Sequence, residues 1–507
     1  MMHSTLQAAP IFSDNMVLQR DAYVPVWGHG EEGALVTLSF GSARVSARVK
    51  GGVWKLRLPP HKAGERGDLE VSCGGERIRF KNVIFGDVWF AGGQSNMEME
   101  LKDCRDGKAE AAAADHPDIR FYQPVKRAFV DEAFLRDEGH CRWRECRPDT
   151  AAALSGAAYF FARKVKADTG VPIGIINCSW GGTSISAWMS REQLLKSAAG
   201  RRCVDDYEAR ISGKTDEQYE GEMNAYFEEW RAWDKRIQAR RAKEPDVSWE
   251  ILNAECGECP WPQPAGRKSP YCPANLYHSM IRHTAPYGLK GFLYYQGEED
   301  ESRAEDYAEL MYYLIDQWRG DWGDDALPFL FVQLPMYASK TETDAGTVTE
   351  NWPVLRENQY KVSRIVANTG MAVIIDCGEF DNIHPLDKQT VGFRLALLAL
   401  QKVYGKPVTA EGPVFSHAVR EGNALRVYFA HAGDGLEERG ELQGFEAAGS
   451  DGMYRPASAV IEGATALVSA EGVAEPEEVR YCWMKYGPTP LFAKNGLPIM
   501  PFRSSRR

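Results

Sequence analysis

The stretch Val88-Trp89-Phe90-Ala91-Gly92-Gly93-Gln94-Ser95-Asn96-Met97 decides the fold. Its first four residues form a continuous apolar run, which is typical of a strand buried on both faces of a parallel sheet. Two glycines then allow a sharp turn, and Ser95 follows at the carboxyl end of the strand, where α/β folds place their active sites. A helix after this turn would present backbone N–H groups to an anion. The alternative is a turn serine that only caps a helix.

Further apolar runs of the same kind follow, at residues 173–177, 291–295, 329–333 and 372–376. Helical stretches lie between several of them. One starts near Ser155, repeats apolar residues at helical spacing and stops before Gly170. Strands that alternate with helices predict an α/β domain with a parallel sheet over residues 83–404.

The ends of the chain have a different pattern. Residues 1–82 and 405–507 contain short alternating runs separated by glycine turns, which predict two flanking β regions, the first a small β-sandwich. A chain of 507 residues is also too long for one hydrophobic core, since single cores stop growing near roughly 250–300 residues.

A charged stretch at about residues 191–275 interrupts the α/β rhythm and reads as an insertion. It contains an aromatic stripe at helical spacing: Tyr219, Met223, Tyr226, Trp230, Trp233 and Ile237. We expect this stripe to be the buried face of an amphipathic helix, and a sugar-binding platform is the alternative.

The composition is that of a globular protein with a net charge of −11. This acidic balance argues against a nucleic-acid partner or an anionic membrane surface, and no apolar stretch has the length of a membrane span. The first residues lack the basic start and apolar run of a signal peptide. We therefore expect a cytoplasmic protein, or a periplasmic or secreted one if a leader has been removed.

Eleven scattered cysteines do not form a disulfide framework in a chain of this size, and we expect reduced thiols. Cys256 and Cys259 have C-x-x-C spacing, with Cys272 nearby. A zinc site would need a fourth ligand at matching spacing, and none is evident, so no metal site is predicted.

Asp381-Asn382-Ile383-His384 comes just after the last apolar run. The spacing of three lets the carboxylate reach the near ring nitrogen of His384 within one turn. The far nitrogen would then be free to accept the Ser95 proton. The alternative is a helix cap, since Asp and His are common at helix starts.

Acyl transfer also needs donors for a developing oxyanion. Trp180-Gly181-Gly182-Thr183-Ser184 follows the run at 173–177, and a glycine there can aim its N–H at the charge. Which of the two glycines donates stays open. Tyr295-Gln296-Gly297-Glu298 follows the run at 291–295, and the Gln296 amide is a further donor. Ordinary glycine turns are the alternative for both motifs.

Taken in order, Gly-Gln-Ser-Asn-Met, Trp-Gly-Gly-Thr, Tyr-Gln-Gly-Glu and Asp-x-x-His-Pro resemble the motifs of the sialate O-acetylesterase family, in the SGNH (GDSL-like) hydrolase superfamily. The resemblance spans nearly the whole chain and implies a three-layer α/β/α hydrolase domain. It implies Ser95 as nucleophile, His384 as general base and acid, and Asp381 as the residue that orients His384. The oxyanion hole would comprise Ser95, Gly182 and Gln296, without cofactor or metal.

Residues that flank the motifs are expected to line the pocket or to support it from beneath: Gln94, Asn96, Trp180 and Glu298. Arg356 lies in a segment that also resembles the family, and we expect it to form a buried structural ion pair. Contact with a substrate carboxylate is the alternative.

The resemblance implies a carbohydrate O-acetylesterase, first of all one that acts on O-acetylated sialic acid. An esterase for acetylxylan or another plant polysaccharide shares the chemistry and is the alternative. A non-catalytic carbohydrate-binding protein is the third hypothesis, and the complete set of Ser95, Asp381 and His384 argues against it.

Overall fold

The computed structural model describes residues 6–245 and 247–504. Residues 1–5, on which the prediction about a leader partly rests, lie outside the described residues. The N-terminal region is all β, as predicted, with two facing sheets. Its strands are β1 (Gln7–Ala8), β2 (Val17–Gln19), β3 (Val24–His29), β4 (Leu35–Phe40), β5 (Ala43–Arg48), β6 (Val53–Leu58), β7 (Arg66–Cys73) and β8 (Glu76–Gly93).

Strand β8 joins the N-terminal region to the central α/β domain without a break. Its first half pairs with β7, and its second half is the central strand of the parallel sheet. The predicted boundary at residues 82 and 83 therefore falls inside one strand. No turn is needed there because the exposed alternation of Glu76–Lys81 passes directly into a fully buried run.

The central sheet contains six parallel strands in the order β9-β11-β8-β12-β13-β14, with β10 antiparallel at one edge. The further strands are β9 (His116–Tyr122), β10 (Arg144–Cys146), β11 (Ile173–Ser179), β12 (Gly291–Tyr295), β13 (Phe329–Gln333) and β14 (Thr369–Val373). Every residue of β11, β12 and β13 is buried, which explains their continuous apolar sequence.

Strand β14 lies three residues earlier than the run at 372–376 predicted. The Arg394 guanidinium donates to the Val373 carbonyl at 2.9 Å and to the Asp376 carboxylate, and a short 3₁₀ turn over Ile375–Cys377 replaces the end of the strand. The apolar pattern was correct, but a long-range polar contact ends the strand.

Helices cover both faces of the sheet and also make up most of the insertion. They are α1 (Ser95–Glu98), α2 (Gly107–Ala113), α3 (Glu132–Glu138), α4 (Gly156–Thr169), α5 (Arg191–Leu194), α6 (Ala198–Arg210), α7 (Asp216–Arg241), α8 (Trp249–Cys256), α9 (Arg282–Thr284), α10 (Tyr307–Trp322), α11 (Lys340–Ala345), α12 (Asn351–Ile365) and α13 (Lys388–Lys402). Helix α4 begins after a Ser155 N-cap and ends at Gly170, as predicted.

Two adjacent residues of β8 show the layering. Trp89 packs edge-on against Phe161 of α4, whereas Phe90 packs against Trp318 of α10. Because neighbouring side chains of a strand point to opposite faces, α4 and α10 lie on opposite sides of the sheet. Helix α13 packs with α4, and α12 packs with α10. This confirms the predicted three-layer α/β/α domain.

The insertion is mainly helical and contains α5 to α8. Four of the six predicted stripe residues of α7 are buried, namely Tyr219, Tyr226, Trp233 and Ile237, while Trp230 is exposed. The stripe is therefore mostly a packed face, as expected.

The C-terminal region is again all β. Its strands are β15 (Val414–Glu421), β16 (Ala424–Ala430), β17 (Leu436–Glu438), β18 (Phe445–Ala448), β19 (Arg455–Glu462), β20 (Thr465–Ala470), β21 (Glu478–Tyr481), β22 (Leu491–Ala493) and β23 (Phe502–Arg503). Seven form one antiparallel sheet, and β17 pairs with β22. The region has its own apolar core, to which Met336 and Ile375 of the central α/β domain contribute.

All eleven cysteines are free. Cys256 is buried and Cys259 exposed. Among the residues that the structure describes, no helix combines the length and apolar character of a membrane span, and no group of three or more His, Cys, Asp or Glu residues is arranged to hold a metal ion.

Candidate active site

Ser95 lies at the carboxyl end of β8 and is the first residue of α1. The turn requires Gly93, which has φ +141°, because a Cβ there would lie 2.0 Å from the Tyr295 carbonyl oxygen. Gln94 donates its N–H to that same carbonyl at 3.0 Å. As the first helical residue, Ser95 has no intrahelical acceptor for its own N–H.

His384 meets Ser95 directly. Its Nε2 lies 2.8 Å from the Ser95 Oγ, although the two residues are 289 positions apart. The backbone of His384 is held on both sides by Asn382, whose Oδ1 accepts the His384 N–H at 3.0 Å and whose Nδ2 donates to the His384 carbonyl at 3.0 Å. The backbone that carries the imidazole is thereby held in a local turn.

The environment of His384 favours its neutral form. Burial, and to a smaller extent the positive charge of Lys388, lowers the pKa of His384 to about 4. A neutral imidazole is able to accept a proton from Ser95 at neutral pH. Sequence analysis missed both Asn382 and Lys388.

Asp381 does not reach His384. Its Oδ1 accepts the Lys340 N–H at 2.9 Å, and its Oδ2 accepts the side-chain amide of Asn253 at 3.0 Å. Asp381 has φ +56°, so the chain turns its side chain toward α11 and α8. The predicted hydrogen bond between Asp381 and His384 is therefore absent from the structure.

The Gly181–Gly182 turn packs against the serine, since a Cβ on Gly181 would lie 3.3 Å from the Ser95 Cβ. The Gly181 N–H donates to the Glu98 Oε2 at 2.6 Å and is thus occupied. Gly182 has φ +68°, and its N–H has no acceptor within residues 6–245 and 247–504. Of the two glycines, only Gly182 has a free donor.

The side-chain amide of Gln296 already hydrogen-bonds to other residues through both its nitrogen and its oxygen. Its Nε2 donates to the Thr183 carbonyl at 3.1 Å and to the Asp300 Oδ2 at 2.5 Å, which uses both N–H groups. Tyr307 donates to its side-chain oxygen at 2.9 Å. The predicted role as an oxyanion donor does not fit this geometry, because Gln296 instead ties β12 to the glycine turn.

A buried polar network lies beneath Ser95. Asn96 donates to the Glu298 Oε1 at 2.5 Å and accepts from the Lys388 ammonium at 2.7 Å. Burial raises the pKa of Glu298 to about 7 and lowers the pKa of Lys388 to about 8. Gln94 is also buried, and its Oε1 accepts the Gly297 N–H at 3.3 Å. Three of the predicted pocket residues therefore support the site from beneath.

Trp180 stays partly exposed at the edge of the site. The Lys126 ammonium lies 4.9 Å from the centroid of its ring and forms an ion pair with Glu98. Trp180 is thus the predicted pocket residue whose aromatic ring is partly exposed to solvent next to Gly181.

A sequence model of the carbohydrate esterase family of sialic acid-specific acetylesterases matches residues 85–238 and 261–393. The chain belongs to this family. The matched ranges contain Ser95, the glycine turn and His384, and they leave out residues 239–260 of the insertion.

Curated relatives and a solved structure agree with this assignment. The chain is 29% identical to the sialate O-acetylesterase of Mus musculus over 442 residues, which covers 80% of this chain and 75% of the relative. The Homo sapiens enzyme is 26% identical, with 80% and 73% covered. A carbohydrate acetylesterase from Xanthomonas citri is 32% identical, with TM-score 0.77 and coverage of 98% and 99%. The chain is therefore a carbohydrate O-acetylesterase.

The contacts of Arg356 do not support the substrate-binding role that we considered. Its side chain is 1% exposed, and it donates to the carbonyls of Cys482 at 3.3 Å and Met484 at 2.5 Å. Burial lowers its pKa to about 10. Arg356 joins the central α/β domain to the C-terminal region through carbonyl groups, and it forms no ion pair with any described residue, contrary to our expectation.

The Asn96 bridge makes a prediction for stability. Asn96→Ala removes the group that joins Glu298 to Lys388 and leaves two buried ionisable side chains without their common partner. We expect a loss of about 2–4 kcal/mol in the free energy of unfolding. Urea unfolding measures it, with exposed Asn423→Ala as the control that should stay near wild type. Equal unfolding midpoints for both variants would contradict the bridge.

The position of Asp381 makes a second prediction. Asp381→Asn should lower kcat far less than the roughly 10⁴-fold loss expected when a carboxylate that orients a catalytic histidine is replaced. It should lower the free energy of unfolding by about 1 kcal/mol, because one of its two hydrogen bonds is lost. Asn253→Ala, which removes the same contact from the other side, should match it. A 10⁴-fold loss with Asp381→Asn alone would restore the triad assignment.

Proposed function

We propose that this esterase removes O-acetyl groups from sialic acid through a covalent acetyl–Ser95 intermediate. The observation that carries the proposal is the 2.8 Å contact between the Ser95 Oγ and the His384 Nε2, next to the free N–H of Gly182. A nucleophile, a neutral base and an anion-binding turn then meet at the end of one sheet. This arrangement favours catalysis over the third hypothesis, a non-catalytic carbohydrate-binding protein.

In the first half-reaction the Ser95 oxygen attacks the acetyl carbonyl carbon, and its proton passes to the His384 Nε2. The carbonyl electron pair moves onto oxygen, and the N–H groups of Ser95 and Gly182 donate to the resulting oxyanion. The bond to the sugar oxygen then breaks. His384 gives its proton to that oxygen, so the deacetylated sugar leaves and the acetyl group stays on Ser95.

In the second half-reaction a water molecule attacks the acetyl–Ser95 carbonyl while His384 takes its proton. The same donors hold the second oxyanion. When it collapses, the bond to Ser95 breaks and His384 returns the proton to the Ser95 oxygen, so acetic acid leaves and ionises to acetate in solution.

A Ser95–His384 pair performs both half-reactions without help from Asp381. The turn at Asn382 fixes the backbone that carries the imidazole, and burial keeps the ring neutral between transfers. Within the family the pair would thus use backbone hydrogen bonds for an orienting task that many serine hydrolases give to a carboxylate.

Sialate esters are the first candidate substrates, because the family and the curated relatives are named for activity on them. One observation favours a second candidate, a neutral acetylated polysaccharide such as acetylxylan. Lys126 is a cation beside the glycine turn, but it is already paired with Glu98. A sialate carboxylate would have to compete with Glu98 for that ammonium, whereas a neutral sugar would not.

Acetate release from 9-O-acetylated sialic acid, set beside acetylated xylo-oligosaccharide, tests the substrate. We expect a higher kcat/KM for the sialate ester. Lys126→Ala should then raise KM for the sialate ester and leave the xylan ester unchanged. A clear preference for the xylan ester would move the assignment to the neutral polysaccharide. Activity on neither sugar would contradict the proposal.

The low pKa of His384 predicts the acid limb of the pH profile. His384 acts as a base only when neutral, so kcat/KM should stay flat from about pH 7 to about pH 5 and fall as the pH drops through about 4. Glu298→Gln is the matched variant, because it removes the carboxyl group of the buried network and should leave this limb in place. A limb near the ordinary histidine pKa, with circular dichroism showing an intact fold, would contradict the burial argument.

A further inference from the structure

The insertion places one exposed aromatic ring directly on the glycine turn. Trp261 is 48% exposed. Its six-membered ring covers Gly182 so closely that a Cβ built on this glycine would lie 2.1 Å from the Trp261 Cη2. The glycine is therefore required both by its φ of +68° and by the indole above it. No feature of the catalytic steps uses this ring.

The segment that carries Trp261 is held in place by α7. Trp233 donates to the Gly257 carbonyl at 2.8 Å, and Tyr226 donates to the Pro260 carbonyl at 3.0 Å. The Trp261 ring meets Tyr271 edge-on, with 5.6 Å between the centroids. An exposed indole that is fixed on several sides loses little conformational entropy when a ligand covers it.

The same part of the insertion is fastened to the loops around the site. Asn253 of α8 donates to the Asp381 carboxylate at 3.0 Å, and Glu258 accepts a hydrogen bond from the Thr341 hydroxyl. Residues 253–261 are thus anchored by hydrogen bonds to the loops around the site. This anchoring sets the position of Trp261 relative to Ser95.

We propose that Trp261 is the residue on which the sugar ring stacks while its acetyl group lies at Ser95. The proposal rests on the proposed function and extends it to the part of the substrate that does not react. The C–H groups on one face of a pyranose carry partial positive charge, and the face of an indole is negative. Stacking also removes apolar indole surface from water. Trp261 would therefore select for a sugar over any other acetyl ester.

Kinetics on two kinds of ester test this role. The substrates are 9-O-acetylated sialic acid, acetylated xylo-oligosaccharide and ethyl acetate, which has no ring to stack. Trp261→Ala should lower kcat/KM for the sugar ester that the wild type prefers by roughly 10- to 100-fold, mainly through KM. It should leave kcat/KM for ethyl acetate within about twofold of wild type. Trp261→Phe should restore most of the loss, because it keeps a ring.

Phe227→Ala is the matched control. Phe227 is an exposed aromatic residue of the same insertion, 41% exposed on α7, and its replacement should leave both kinds of substrate unaffected. If Trp261→Ala lowers kcat/KM equally for sugar esters and for ethyl acetate, the inference is overturned, and Trp261 serves only to hold the Gly182 turn. Unchanged sugar kinetics would overturn it as well. A wild type that hydrolyses ethyl acetate but no sugar ester would instead show that the proposed function has failed, and the inference with it.

Discussion

Ser95→Ala should lower kcat for acetate release by a factor of about 10⁶, close to the rate without a nucleophile. The variant keeps the α1 turn, the free Gly182 N–H and the pocket, since only one oxygen is removed. We therefore expect substrate binding to persist. Calorimetry with 9-O-acetylated sialic acid and an acetate-release assay on the same preparation measure the two quantities separately.

The control for Ser95 is Ser416→Ala, an exposed serine on β15. It should retain wild-type kcat and the same unfolding midpoint. If Ser95→Ala keeps more than a small fraction of the wild-type rate while its fold is intact, the nucleophile is another group and the acetyl–serine route is wrong.

His384→Ala should lower kcat by about 10⁴- to 10⁶-fold. Among the described residues, the His384 imidazole is the only titratable group that hydrogen-bonds to the Ser95 Oγ, and the variant removes it. A neutral serine hydroxyl is a poor nucleophile without a base. Added imidazole should restore part of the rate, since the cavity left by the side chain opens beside Ser95.

The exposed His140 provides the comparison, and His140→Ala should be indistinguishable from wild type with or without imidazole. Rescue by imidazole in His384→Ala but not in Ser95→Ala would separate the base from the nucleophile. A His384→Ala variant that is well folded and nearly as fast as wild type would rule out the histidine as base.

Much of the fold follows from short-range pattern. The continuous apolar runs of β8, β11, β12 and β13 predict strands buried on both faces, and the parallel sheet places their carboxyl ends at one edge. For this reason Ser95 and the glycine turn were expected side by side, and the structure places them in contact. The position of β14 was less exact because a distant arginine, Arg394, ends it.

The partners of polar side chains were harder to predict. Gln296, Asp381 and Arg356 each have the chemistry that we assigned to them, but each hydrogen-bonds elsewhere. A side chain with several donors or acceptors takes the partners that packing brings near it. Sequence spacing restricts reach, but it does not choose among groups that lie tens or hundreds of residues away.

The sequence by itself determined the family by its motifs and the parallel sheet by its apolar runs, and it singled out Ser95 and His384, which the structure brings within 2.8 Å of each other. It did so because strand periodicity and motif order are local properties of the chain. Only the tertiary structure decided that Gly181 is occupied by Glu98, that Asn382 positions His384, and that Trp261 of the insertion covers Gly182. These contacts join separate segments, and their geometry depends on how the insertion packs against the sheet.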